Sequence, residues 1–111
     1  MTMKRGDVVT VAGGSGYTGK PRPAVIIQAD KFGGTGSVTL CTFTSSLVED
    51  VAFRVLVEPT GANGLSVPSQ AMADKVGSVP RASIDRIIGR LSPEDMTRVD
   101  QALLIFLGLV P

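Results

Sequence analysis

The sequence contains no histidine, a single cysteine and no tryptophan. Without histidine it lacks the commonest general base and the commonest side-chain ligand for transition metals. Ser-His-Asp hydrolases, Cys-His proteases and two-histidine ribonucleases are therefore excluded. The lone Cys41 excludes an intramolecular disulfide and a zinc site built from several thiolates. Four phenylalanines and one tyrosine offer few surfaces for stacking the bases of a single strand. We expect neither a metal nor another cofactor.

An excess of one charge and a long apolar run are also missing. Eleven basic and ten acidic residues leave a formal net charge of +1, so any polyanion has to bind a local patch rather than a general positive field. The most apolar run, Leu103 to Val110, is far shorter than the roughly 20 residues that a membrane-spanning helix needs. No apolar stretch follows the charged N-terminal residues, so we expect no signal peptide. The 111 residues predict a single domain, 1–111, in the cytoplasm and without membrane contact.

Most of the chain is patterned as short strands separated by turns. Strands are predicted at Val8–Ala12, Pro23–Gln28, Val38–Phe43 and Val51–Val57, with two more within Ser66–Val79. Pro59–Gly64 is a turn cluster, Pro68 and Pro80 belong at strand edges or ends, and Ile84–Leu91 fits either a strand or a short helix. Many short strands with turns between them predict a small β-barrel.

One helix is clearly signalled, near the C-terminus. Ser92 is a good N-cap, Pro93 suits the first helical position, and two acidic residues follow in the first turn. Apolar residues then recur at helical intervals, namely Met96, Val99, Leu103 and Phe106, with Leu104 and Leu107 widening the stripe. This stripe is broader than one small barrel needs. A wholly buried helix and a second copy of the chain covering the surplus are both compatible with it, and we predict a homodimer.

A glycine-rich loop precedes the second predicted strand and matches two nucleotide-binding motifs. Gly14–Gly19 fits G-x-G-x-x-G, and Gly14–Lys20 fits most of the P-loop pattern. Both motifs must open a helix whose N-terminus holds the phosphate, whereas here Pro21-Arg22-Pro23 and a strand follow. We therefore reject nucleotide binding. The loop retains exposed amide groups and Lys20, which suit close approach to a phosphate backbone.

Two polar segments are candidates for a phosphate-binding or catalytic site. Arg22 lies between two prolines that restrict the backbone, and its planar fork of donors suits a phosphate. Thr44, Ser45 and Ser46 place hydroxyl groups at the end of the third predicted strand. Local chemistry leaves two interpretations open for each segment: a phosphate-binding group, or a solvated residue at a strand end that satisfies its own backbone.

Several separated motifs carry a family resemblance over nearly the whole chain. Lys4–Val9 and Arg22–Gln28 resemble the R-G-D-[VI] start and the R-P-[AV]-[LV]-V-[LVI] strand of the MazF/PemK family of endoribonuclease toxins. Phe43–Ser45 resembles the family's P-I-T-[SA] segment. Arg90–Ser92 and Val99–Leu103 resemble the family's C-terminal end.

The resemblance implies a mainly β fold with a C-terminal α-helix, formed as a small SH3-like or CcdB-like barrel that acts as a homodimer. It implies a type II toxin that cuts single-stranded RNA, often mRNA, and that a co-expressed antitoxin neutralises. By position in the motifs, Arg22 and Thr44 are the catalytic residues. Cleavage through the RNA's own 2′-hydroxyl needs no metal and leaves a 2′,3′-cyclic phosphate and a 5′-hydroxyl.

The expected RNA-binding residues are those of the glycine-rich loop and of the neighbouring strand end: Tyr17, Thr18, Gly19, Lys20 and Ser45. Two other functions remain open at this point. One is a topoisomerase (gyrase) poison of the CcdB type, and the other is a non-catalytic SH3-like binding module.

Overall fold

The computed structural model describes residues 2–12 and 20–111. The described part contains seven strands and one α-helix: β1 Asp7–Val11, β2 Arg22–Ile26, β3 Ser37–Thr44, β4 Arg54–Val57, β5 Ser69–Met72, β6 Gly77–Pro80, β7 Ile84–Arg90 and α1 Pro93–Phe106. Short 3-10 helices, at Asp30–Phe32, Ala73–Lys75 and Arg81–Ser83, join some of them. The mainly β architecture with a C-terminal helix is therefore confirmed.

The predicted strands all form, with ends mostly within two residues of the prediction, and the largest difference is at the start of β4. β4 begins at Arg54 rather than at Val51, because the chain turns just before it. Asp50 has a positive φ of 56°, and the N–H of Arg54 donates to the carbonyl of Val51 at 3.1 Å. The ambiguous segment at residues 84–91 is a strand, and Pro80 stands at the end of β6 as predicted.

The strands pair in the order β4-β5-β3-β2-β1-β7, and every ladder is antiparallel. The long β3 uses one edge for two partners: its first half pairs with β6, and its last two residues pair with β5. Adjacent residues of β1, Val8 and Val9, are both fully buried. They belong to separate core clusters on the two faces of the sheet. This explains why neighbouring residues of β1 and β2, such as Val8 and Val9, are both apolar instead of alternating with polar residues.

The turn after β4 packs against β7 and takes the place of a closing ladder. The N–H of Arg90 donates to the carbonyl of Ala62 at 2.8 Å. Gly89 allows this approach, because a Cβ there would lie 2.4 Å from the backbone carbon of Asn63. Buried Asn63 holds the turn together through its side chain, which bonds to the backbone of three residues, Glu58, Thr60 and Leu65. The described strands form no ladder between β4 and β7, so hydrogen bonding does not close the predicted barrel.

Helix α1 begins as predicted. The Ser92 hydroxyl accepts a hydrogen bond from the N–H of Asp95 at 3.1 Å, which satisfies one of the unpaired N–H groups of the first turn. Val99, Ala102 and Leu103 are buried against the sheet. Phe106 makes an edge-on ring contact with Phe53 at 5.4 Å between centroids. No helix in residues 2–12 and 20–111 is long and apolar enough to cross a membrane.

The N-terminal motif Arg5-Gly6-Asp7 fastens the sheet to the helix. Arg5 donates to the carbonyl of Ile27 and forms an ion pair with Asp100 of α1. Gly6 has a φ of +92°, a conformation that glycine adopts without strain. Asp7 accepts from the N–H of Lys4 and from the Arg90 guanidinium, each at 2.8 Å. These residues therefore hold the fold together.

Candidate active site and RNA interface

A groove of about 660 Å³ lies where several strands begin or end. It is bordered by the start of β2, the end of β3, the start of β7 and the turn between β4 and β5. Phe43 and Leu65, both buried, and half-buried Ile88 supply apolar surface. Polar and charged side chains of the strand ends line the remainder. We call this cavity the groove.

Arg22 and Thr44 meet at the groove because β2 and β3 run antiparallel in a fixed register. Ala24 stands opposite Thr42 in this ladder. The pairing ends there, and Arg22 and Thr44 each lie two residues beyond it, towards the same end of the two strands. Residues two apart along a strand share a face of the sheet. Both residues line the groove, with Arg22 exposed and Thr44 half-buried.

The Thr44 hydroxyl is oriented by the chain that follows it. Its oxygen accepts a hydrogen bond from the N–H of Ser46 at 3.1 Å. This bond uses a lone pair and not the hydroxyl hydrogen, which can therefore be donated to an oxygen in the groove. Thr44 also stands opposite Gln70 of β5, whose side-chain amide bonds to the N–H and the carbonyl of Val48. The end of β3 and the loop after it are thus fixed together.

The remaining predicted site residues divide into two groups. Lys20 and Ser45 are exposed and line the groove, so the structure brings them together with Arg22 and Thr44. Tyr17, Thr18 and Gly19 lie outside the described residues.

Sequence reasoning missed several polar residues of the groove, among them three on strands β1 and β7. Thr10 of β1 and Asp85 and Arg86 of β7 line it. The Thr10 hydroxyl donates to Asp85 Oδ2 at 3.2 Å. The segment at 84–91 gave no signal for Asp85 and Arg86, because it fitted a strand or a helix equally well.

The groove is locally basic in a protein of nearly balanced charge. Among its described lining residues, Lys20, Arg22 and Arg86 are cationic and Asp85 is the one carboxylate, whereas the whole chain has a net charge of only +1. A concave surface with an excess of one charge concentrates the field and favours an anionic ligand. A guanidinium fork beside a hydroxyl donor suits the non-bridging oxygens of a phosphodiester.

Metal and thiol chemistry have little basis in the described residues. They contain no group of three or more His, Cys, Asp or Glu side chains that could hold a metal ion. Cys41 is fully buried within β3. Burial, together with the nearby charge of Asp74, raises the pKa of its thiol to about 11, so it is a poor nucleophile at neutral pH.

Fold and groove together define a small antiparallel β protein with a basic groove at the strand ends. A family model described as "PemK-like, MazF-like toxin of type II toxin-antitoxin system" matches residues 4–107. The chain belongs to this family.

Known proteins that resemble the chain agree with this assignment. It is 51% identical to the "Probable endoribonuclease MazF" of Mycolicibacterium smegmatis, over 96% of this chain and 98% of the relative. An "Endoribonuclease in complex with its cognate antitoxin from Mycobacterial species" has a similar fold, with a TM-score of 0.80, 21% identity and 98% coverage of both chains. The MazE-MazF structure (Form-III) from Deinococcus radiodurans gives a TM-score of 0.79 at 22% identity, covering 97% of this chain and 98% of that one.

Proposed function

We propose that the protein is a metal-independent endoribonuclease that cuts single-stranded RNA, mRNA included, as the toxin of a type II toxin-antitoxin pair. The observation that carries the proposal is the basic groove, which both Arg22 and Thr44 line where β2 begins and β3 ends. The family match and a relative at 51% identity named as an endoribonuclease support it.

RNA supplies its own nucleophile, so the protein has to position the strand and stabilise charge. The 2′-oxygen forms a bond to phosphorus, and the bond from phosphorus to the 5′-oxygen breaks. The 2′-hydroxyl loses a proton and the 5′-oxygen gains one. The products are a 2′,3′-cyclic phosphate and a 5′-hydroxyl. Arg22 and Thr44 donate hydrogen bonds to the non-bridging oxygens as negative charge develops there. Arginine stays charged at neutral pH and is a poor general base, so the main role that we assign to Arg22 is electrostatic.

Lys20 and Ser45 extend this site along the RNA strand. Both are exposed in the groove, where an ammonium group and a small hydroxyl side chain contact neighbouring phosphates. Tyr17, Thr18 and Gly19 remain predicted RNA contacts from the glycine-rich loop.

The family assignment also supports a protein partner and a second copy. A cognate antitoxin neutralises the toxin, and the toxin acts as a homodimer. The apolar end of α1 supports the homodimer, since Leu104 to Leu107 remain 40–53% exposed. Both RNA and antitoxin are met in the cytoplasm, where we place the protein.

We further infer that the fold is a variant of the SH3-like or CcdB-like barrel. The hydrogen bond from Arg90 to Ala62 supports this interpretation, because the turn after β4 lies where a closing ladder would run.

Incubation of the purified protein with a long single-stranded RNA in excess EDTA tests the activity. We expect discrete fragments with 2′,3′-cyclic phosphate ends. Loss of cleavage in EDTA with recovery in Mg²⁺ or Zn²⁺ contradicts metal independence. Intact RNA with bound protein favours the binding module. Intact RNA together with inhibition of gyrase supercoiling favours the topoisomerase poison.

A further inference from the structure

Strand β7 contains a β-bulge at the border of the groove. Thr10 of β1 pairs with Arg86, and the next residue of β1, Val11, pairs with Ile84. Asp85 is the extra residue between them and is paired with no residue of β1 in the ladder. A bulge of this kind bends the strand and changes the direction of its side chains.

The bulge brings two consecutive side chains to one cavity. In a regular strand Asp85 and Arg86 would point to opposite faces, yet both line the groove. Both are exposed, and the four ion pairs among the described residues involve neither of them. The Thr10 hydroxyl donates to Oδ2 of Asp85 at 3.2 Å and so helps to orient the carboxylate.

A carboxylate is not expected in a site that binds only phosphates, because the two negative charges repel each other. It is suited to the edge of a base, where it accepts hydrogen bonds from ring and exocyclic N–H groups. The neighbouring guanidinium supplies the complementary donors. Contacts to phosphates position a strand, whereas contacts to base edges specify its sequence, and unpaired RNA presents all its base edges.

We propose that Asp85 and Arg86 form a base-recognition pair that selects guanine at a position beside the scissile phosphate. Guanine offers two adjacent donors, N1–H and the N2 amino group, to the carboxylate. It offers two acceptors, O6 and N7, to the guanidinium fork. This assignment rests on the proposed RNA cleavage and adds a specificity-determining function for β7.

The first experiment maps cleavage ends on a single-stranded RNA library with a randomised segment. The parent protein should show a guanine preference at one position near the cut. Asp85→Asn and Arg86→Gln should each weaken this preference by roughly 10- to 100-fold, while other sequences are still cut. Glu94→Gln and Arg98→Gln make the same charge changes on the exposed face of α1, outside the groove, and should leave the preference intact.

The second experiment assigns each contact with modified bases at the selected position. Inosine lacks the N2 amino group, and 7-deazaguanine lacks N7. The parent should discriminate against both. Asp85→Asn should lose discrimination against inosine alone, and Arg86→Gln should lose it against 7-deazaguanine alone. Arg86→Lys keeps the charge without the fork and should behave as Arg86→Gln does.

Three outcomes overturn the inference. One is a parent that cuts RNA without preferring guanine. Another is a set of variants that keep the parent's preference. The third is an equal loss of rate on every sequence, which indicates a phosphate contact. A parent that cuts no RNA overturns the proposed function as well, so the two failures are distinguishable. Thermal melts of each variant separate loss of recognition from loss of folding.

Discussion

Arg22 and Thr44 are held by the backbone around them rather than by the core. Two prolines flank Arg22 and restrict the entry to β2. Thr44 ends β3 opposite Gln70, and the Gln70 side chain bonds to the loop that follows at 3.0 and 2.7 Å. Substitutions that keep the shape of these two side chains therefore test their chemistry with little effect on folding.

We predict that Arg22→Lys and Thr44→Val each lower the rate of RNA cleavage by roughly 10²–10³-fold, as loss of a transition-state hydrogen bond does. Lysine keeps the charge but loses the planar fork, and valine removes the hydroxyl. The measurement is single-turnover cleavage of a short RNA, with thermal melts alongside. Thr44→Ser keeps the hydroxyl and should recover most of the activity.

Matched controls for these variants lie on α1. Arg98 and Thr97 are exposed there and outside the groove, so Arg98→Lys and Thr97→Val should cleave at the parent rate. Parent activity in both Arg22→Lys and Thr44→Val contradicts the catalytic assignment. Loss of activity only through unfolding favours a structural role for the two residues.

Cys41 is predicted to be inert in the folded protein. Its thiol is fully buried, and its pKa of about 11 leaves on the order of one thiolate in a thousand at pH 8. We expect Ellman's reagent to label it at pH 8 only after a denaturant is added, with one thiol per chain. Labelling of the native protein within minutes contradicts this prediction, since a buried thiol reacts only through opening of the sheet.

Among the secondary-structure elements, α1 was the most predictable. Its cap, its first-turn charges and its apolar spacing are all local in sequence. The start of β4 was not predictable in this way, because the run from Val51 to Val57 is apolar except for Arg54 and contains no turn residue. The turn at its beginning depends on the left-handed backbone of Asp50, which aspartate adopts more readily than most residues but without a distinctive pattern.

The candidate site was also predictable in part, because some of its residues lie in local sequence motifs. Arg22, Thr44 and Ser45 lie in segments whose motifs resemble the family, Lys20 follows the glycine-rich loop next to them, and the groove contains all four. Asp85 and Arg86 enter it through a bulge. A bulge is defined by the pairing of β7 with β1, a partner more than 70 residues away in sequence. A single-sequence pattern does not encode such long-range pairing.

The junction between β4 and the 3-10 helix after β5 depends on one ion pair. Arg54 donates two hydrogen bonds to Asp74, at 2.7 and 2.9 Å, and both side chains are largely buried. These bonds lower the pKa of Asp74 below its ordinary 3.8. The ionised carboxylate therefore stabilises the fold at pH values above that ordinary value, and this contribution is lost as the pH falls through the lowered pKa.

We predict that Asp74→Asn lowers the free energy of unfolding near neutral pH by about 1–3 kcal/mol, the range for hydrogen bonds to charged groups. The variant should also lose less stability than the parent as the pH falls from about 5 to 2. Urea unfolding at a series of pH values measures both effects. Glu49→Gln, at an exposed site, is the control. An acid profile parallel to that of the parent shows that the pair adds no pH-dependent stability.

In the molecule as a whole, the basic groove and the exposed apolar residues at the end of α1 form two separate surfaces. The basic groove lies at the strand ends, and the apolar surface lies at the end of α1 and just beyond it, where Leu107 is 53% and Leu109 is 69% exposed. About half of the residues in the predicted apolar stripe of α1 thus pack in the core, and the others are exposed. Contiguous apolar surface of this kind marks an interaction site.

We predict that this surface forms the homodimer. Light scattering at micromolar concentration should give about twice the chain mass of 11.5 kDa. Leu107→Glu combined with Leu109→Glu should shift the equilibrium to monomer, because the charges have to be buried without partners. Phe32→Glu is the matched control, since Phe32 is 57% exposed but lies on the 3-10 helix after β2, and it should leave the dimer intact.

A stable dimer buries about 1,200–2,000 Å² in total, so residues of the neighbouring sheet, such as exposed Leu56, have to take part with the helix end. A monomer mass for the parent throughout a dilution series contradicts the prediction. A dimer that survives the double substitution places the interface elsewhere on the molecule.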